Sequence, residues 1–124
     1  MNTAATRPFD RDTALRIARA FLPKHPLGNR WDYYYTLAKL RSDPLYPGVL
    51  QALRGSDAPV LDLGCGLGLL AHALRADGQH MTYRGVDNDA AKITRATKVA
   101  AKNALVDVHF DLVDLADGPP PHQG

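Results

Sequence analysis

Val60-Leu61-Asp62-Leu63-Gly64-Cys65-Gly66-Leu67-Gly68-Leu69-Leu70 is the stretch on which the fold turns. Val60 to Leu63 is a short apolar run and reads as a buried strand. Gly64, Gly66 and Gly68 then permit a sharp turn at positive φ and a close approach of backbone to a ligand. From Leu67 the pattern becomes helical, with Leu70, Ala73 and Leu74 recurring on one face. Strand, glycine turn and helix N-terminus together form a corner suited to a nucleotide.

Glycine turns serve several nucleotides. A dinucleotide loop requires G-x-G-x-x-G/A, and counting from Gly64 puts Leu69 where the third glycine or alanine belongs. The chain instead carries D-x-G-x-G-x-G, with Asp62 inside the end of an apolar strand. A carboxylate there is costly to bury without a partner. A cationic ligand and nearby backbone N–H groups are the expected partners.

Leu61-Asp62-Leu63-Gly64-Cys65-Gly66-Leu67-Gly68 resembles the first motif of class I S-adenosylmethionine-dependent methyltransferases. The resemblance implies an α/β fold: a Rossmann-like parallel sheet with helices on its faces and the cofactor, S-adenosylmethionine, lying over the loop. It places Asp62, Leu63, Gly64, Cys65, Gly66, Gly68 and Leu69 along the cofactor, with Asp62 and the Gly64 and Gly66 backbone near its methionine end. A glycine turn serving another nucleotide is the competing reading of the same residues.

A carboxylate follows at the tip of the expected second strand, Met81 to Val86. Asp87 stands 19 residues beyond Gly68, close to the ~20 expected of an acidic group that accepts two hydrogen bonds from a ribose diol. The resemblance gives this second-motif position, Asp87 with Asn88 beside it, to the cofactor ribose. The alternative is that Asp87 or Asp89 caps the next helix, and that role suits Asp89. Phe110 to Asp114 resembles the third motif, in which an acidic residue meets the adenine amino group. Asp114 is the preferred residue, Asp111 competes, and the N–H of Leu115 would meet a ring nitrogen. No catalytic base and no metal ligand set stands out.

The 124 residues make room for one small domain. Hydrophobic content of 45% and charged content of 23% are those of an ordinary globular chain. A net charge of +2 is too small to point to nucleic acid or a membrane. One cysteine excludes an internal disulfide and suits a reducing compartment, so a cytoplasmic location is expected. No apolar run approaches the ~20 residues of a membrane span.

Three helices are expected over residues 1–56, before the strand. Asp10 caps the first, Arg11 to Leu22; the second runs from Trp31 to Arg41 with Asn29 near its start. Asp43 caps the third, Leu45 to Leu53, with Pro44 at its first position. The Tyr33-Tyr34-Tyr35 run reads as aromatic packing onto the sheet. The alternative, suggested by the family, is a segment folded over the cofactor. A helix over Ala90 to Asn103 carries Lys92, Arg95, Lys98 and Lys102, read as a solvated basic row. Leu105 to Val113 is the third strand, and the cofactor-binding half spans 57–117. Pro119-Pro120-Pro121 makes 118–124 an extended tail.

The resemblance covers Pro59 to Leu115 and supplies strands in the order 3-2-1. Strand 4 is expected after the proline run, where this sequence stops. The expectation is therefore the cofactor-binding part of a methyltransferase, inactive alone, acting on an unidentified acceptor and prone to self-associate through the strand 1 edge. Two other classes fit less of the sequence. One is a non-catalytic cofactor-binding subunit completed by another chain. The other is an NAD-binding oxidoreductase domain, against which Leu69 argues.

Overall fold

The computed structural model describes residues 9–114. The Met1 to Pro8 segment, Leu115 and the proline tail lie outside the described residues. Eight elements follow in order: α1 (Arg11–Arg19), α2 (Trp31–Ser42), α3 (Leu45–Leu53), β1 (Val60–Leu63), α4 (Leu69–Ala76), β2 (Tyr83–Asp87), α5 (Ala90–Lys102) and β3 (Val108–Leu112). The strands are parallel and ordered β1-β2-β3, with Val60 opposite Tyr83 and Tyr83 opposite Val108. This is the 3-2-1 order of a partial Rossmann-like sheet. Among the described residues its middle strand is β2, and β1 and β3 are edges.

Local chemistry starts the helices where the sequence places them. Asp10 accepts the Thr13 N–H at 2.9 Å, and Asp43 accepts the Leu45 N–H at 2.9 Å. Asn29 accepts the Trp31 N–H at 2.7 Å. The end of α1 differs from expectation. Ala20, Phe21 and Leu22 donate to carbonyls three residues back, so the last turn tightens and the helix stops at Arg19.

The third strand also starts later than expected. Ala104 and Asp107 adopt φ of 55° and 57°, which breaks the extended run before Val108. Arg75 holds that turn. Its guanidinium donates to the Val106 carbonyl at 2.9 Å, to Gln79 at 2.8 Å and to Met81 at 2.7 Å. One side chain thus fixes the approaches to both β2 and β3.

A single core joins the N-terminal helices to the sheet. Ile17 of α1, Phe21 just beyond it, Leu40 of α2, Tyr46 and Leu50 of α3, Leu74 of α4 and Val99 of α5 pack with Tyr83, Val60, Val108 and Phe110. Parallel pairing puts these four strand residues on one face. The other face carries Leu61 and Leu63, each 58% exposed, and the Arg84–Asp111 ion pair at 2.6 Å. The described helices therefore cover one face of the sheet. Parallel sheets are ordinarily covered on both.

The aromatic run departs from its preferred reading. Tyr34 and Tyr35 are exposed, as is Trp31, so they do not pack onto the sheet. The α2 helix buries Thr36 and Leu40 instead, and its aromatic side faces outward. The basic row is solvated as expected, with Lys92, Arg95, Lys98 and Lys102 all exposed. Arg95 pairs with Asp32 at 2.7 Å, and Lys102 donates to the Ala20 carbonyl at 3.2 Å. Two of its four members tie α5 to the N-terminal helices. Among the described residues, no helix is long and apolar enough to cross a membrane.

Candidate functional site

The glycine loop leaves β1 and turns back over the tip of β2. Gly64 and Cys65 both donate to the Val86 carbonyl, at 2.8 and 3.0 Å. Gly64, Gly66 and Gly68 all take positive φ, as the sequence requires. Their surroundings separate them. A Cβ added at Gly64 or Gly66 would meet nothing within 4 Å among the described residues, so both border open space. A Cβ at Gly68 would fall 2.5 Å from the Phe110 ring. Gly64 and Gly66 leave room for a ligand; Gly68 is a packing position.

Asp87 closes the loop from the far side. One carboxylate oxygen accepts the Gly66 N–H at 2.8 Å and the other accepts the Asp89 N–H at 3.0 Å. The next helix is capped by Asp89, which accepts the Ala91 and Lys92 N–H groups. Asp87 is thus not the helix cap. It stands at the strand tip, held against the loop backbone, with Asn88 exposed beside it.

Asp62 lies half-buried at the end of β1, and its partner differs from expectation. The Tyr83 hydroxyl donates to it at 2.6 Å. The loop N–H groups go to Val86 and Asp87, not to Asp62. Tyr83 was not singled out from sequence. A fully buried tyrosine must find an acceptor for its hydroxyl, and a buried carboxylate two strand positions away is the obvious one. Burial raises the Asp62 pKa above the ordinary carboxylate value; the Tyr83 hydrogen bond opposes this and the Asp87 charge adds to it. A cation bound here would relieve that strain. Asp62 and Asp87 thus form one acidic neighbourhood around the loop.

The remaining candidates divide. The Cys65 thiol is pushed up to about 12 by burial and then by Asp62 and Asp87, so it stays protonated and is no nucleophile. Leu63 lies on the bare face and Leu69 in the core at 4% exposure, so neither side chain faces the loop's open side. Asp111 is taken up by Arg84 on the bare face. Asp114 is exposed just past β3, and Leu115 lies outside the described residues. No three His, Cys or Asp side chains gather to hold a metal ion among the described residues.

A family model described as a methyltransferase domain matches residues 54–122, more than half of the chain. The chain belongs to that family. Its fold is similar to that of coclaurine N-methyltransferase, solved bound to N-methylheliamine and SAH, with a TM-score of 0.50 and 17% identity. The match covers 86% of this chain and 32% of that one, so the chain spans about a third of the length of the structure it resembles. At this identity the likeness establishes the fold alone. Among curated proteins no relative matches.

Proposed function

We propose that the chain binds S-adenosylmethionine over the Gly64–Gly68 loop, as the cofactor part of a methyltransferase whose acceptor is unidentified. The observation that carries this reading is Asp87, a strand-tip carboxylate held 2.8 Å from the Gly66 N–H beside a loop that opens onto free space. A ribose diol would take over those carboxylate oxygens. Asp62 would receive the ammonium of the methionine end, and Asp114 with the Leu115 N–H would receive the adenine. When bound, the cofactor supplies an activated methyl group on sulfur. What the protein supplies is position: it holds donor and acceptor in line. A cytoplasmic location is part of this proposal.

Titration calorimetry with S-adenosylmethionine tests it. Saturable micromolar binding is expected, weakened roughly tenfold or more in Asp87→Ala, since hydrogen bonds to a charged group carry about 1.5–3 kcal/mol. Absence of binding to the wild-type chain would overturn the reading. The 124-residue chain alone is expected to bind without turnover, because β1 has no second strand partner among the described residues to wall the site.

The bare face favours a second reading, a cofactor-binding unit completed by another copy. Leu61 and Leu63 are exposed beside the β1 edge, which is unpaired among the described residues, and such an edge is a template for another strand. Solution scattering should then give a particle of twice the chain mass, reduced to one mass by Leu61→Lys with Leu63→Lys. A monomer at high concentration would refute it.

A further inference from the structure

Away from the glycine loop, toward the C-terminal end of α4, the surface carries a hollow of about 490 Å³. Its size lies within the range of small-molecule sites. His72 and Arg75 reach it from α4, Arg16 from α1, and His80 and Asn103 from the turns that follow α4 and α5. Two guanidiniums and two imidazoles thus share one lining, which includes no carboxylate among the described residues.

The two guanidiniums are held differently. Arg75 is half-buried, and its partners are neutral carbonyls: Gln79 at 2.8 Å, Met81 at 2.7 Å, Val106 at 2.9 Å and Asp107 at 3.3 Å. It makes no ion pair among the described residues, although charges taken out of water are ordinarily paired. Burial lowers its pKa, and the Asp107 charge opposes this. Its Nη1 spends one N–H on Gln79 and keeps the other. Arg16 is exposed, and its side chain has no hydrogen bond or ion pair among the described residues. Two further groups in the lining have donors to spare. Asn103 keeps one amide N–H after the other faces the His72 Nδ1, and the buried His72 Nε2 has no partner among the described residues. Positive charge and N–H groups gathered without a carboxylate suit an anion.

We propose that this hollow binds an organic phosphomonoester with a small apolar body, at a site separate from the glycine loop. Arg16 and Arg75 supply two fixed positive charges, and a phosphomonoester carries about −1.5 to −2 at pH 7. Its three outer oxygens accept from several N–H groups at once, and guanidinium geometry matches them. Ile17 and Leu105 add apolar surface for the rest of the molecule. The inference goes beyond the S-adenosylmethionine reading and does not depend on it.

Titration calorimetry on the 124-residue chain with phenyl phosphate tests it, with benzoate and inorganic phosphate run beside it. Phenyl phosphate should bind saturably at millimolar concentration or below. Benzoate should bind roughly tenfold more weakly, because it offers one charge-assisted contact fewer. Inorganic phosphate should also bind more weakly, because it lacks the apolar body. Arg75 is left in place, since its carbonyl contacts hold the turn. Arg16→Met removes an exposed side chain and should weaken phenyl phosphate roughly tenfold without changing the melting temperature. Lys98→Met removes an exposed cation of α5 outside the hollow and should leave binding as it is. Absence of saturable phenyl phosphate binding, or benzoate or inorganic phosphate binding as tightly, would overturn the assignment. Equal losses in Arg16→Met and Lys98→Met would mean diffuse attraction to a basic surface and overturn it as well. Displacement of phenyl phosphate by S-adenosylhomocysteine would put the anion in the loop, with the same result.

Discussion

Gly68→Ala should lower the stability of the fold by about 3 kcal/mol, combining a left-handed residue with an overpacked core site. Gly68 sits at φ 77° where the loop enters α4. Its added methyl would lie 2.5 Å from Phe110 Cζ and 2.6 Å from Cε1. That ring is also packed on Tyr83, with centroids 5.8 Å apart, so moving it aside costs that contact. For a chain of this size such a loss lowers the melting temperature by about 10 °C. Gly66→Ala is the contrasting variant. At φ 56° it carries backbone strain, but its methyl meets nothing within 4 Å among the described residues. Its cost should stay near 1 kcal/mol, while the methyl occupies the space proposed for the ligand. Thermal melts followed by circular dichroism decide between them. If Gly66→Ala melts lower than Gly68→Ala, the division into a ligand-side and a packing glycine is wrong.

That division also marks what could be read from the chain and what could not. The turn residues, the caps at Asp10, Asp43 and Asp89, and the parallel 3-2-1 order follow from signals a few residues long. Each is a local preference that the fold does not override. The place of Asp87 at the tip of β2 was legible for the same reason: it is a carboxylate at a fixed distance from a glycine turn. Pairings across the sequence were not legible. Tyr83 and Asp62 stand 21 residues apart, and Arg95 and Asp32 stand 63 apart. Nothing in either neighbourhood names its partner. The aromatic run misled because Tyr33-Tyr34-Tyr35 looks apolar, whereas α2 buries a threonine and a leucine on the side facing α1. The start of β3 misled because Val106 continues the alternation of the strand, but positive φ at Asp107 removes it from the ladder.

A buried histidine makes the second large prediction. His72 on α4 is 2% exposed and packs against Phe21, ring centroids 5.7 Å apart. The Asn103 amide nitrogen faces its Nδ1 at 3.3 Å. With the amide so placed, Nδ1 accepts and the ring proton sits on Nε2, which has no hydrogen-bond partner among the described residues. A second proton would set two donors face to face. Arg16, Arg75 and His80 line the hollow beside the ring, so among the described residues no carboxylate stands there to receive the charge. Burial accordingly pushes the His72 pKa down to about 4 from its usual 6.5. Between those values the unfolded chain binds a proton that the folded chain refuses. Stability must then fall as pH drops from about 6.5 to about 4, by about 3 kcal/mol in all, and level off below. Asp10, Asp43 and Asp77 have pKa values below the ordinary carboxylate range, held there by hydrogen bonds from Thr13, Leu45 and Arg54 respectively. Their losses come at lower pH and leave the upper part of the window to the histidine. Urea unfolding at half-unit steps from pH 7.5 to 4.5 measures the slope. His72→Gln can still accept from Asn103 but cannot titrate, so its stability should vary much less over that range whatever its starting value. Parallel slopes for the two proteins would mean that His72 takes up its proton in the folded state, and the packing around it would have to be looser than described.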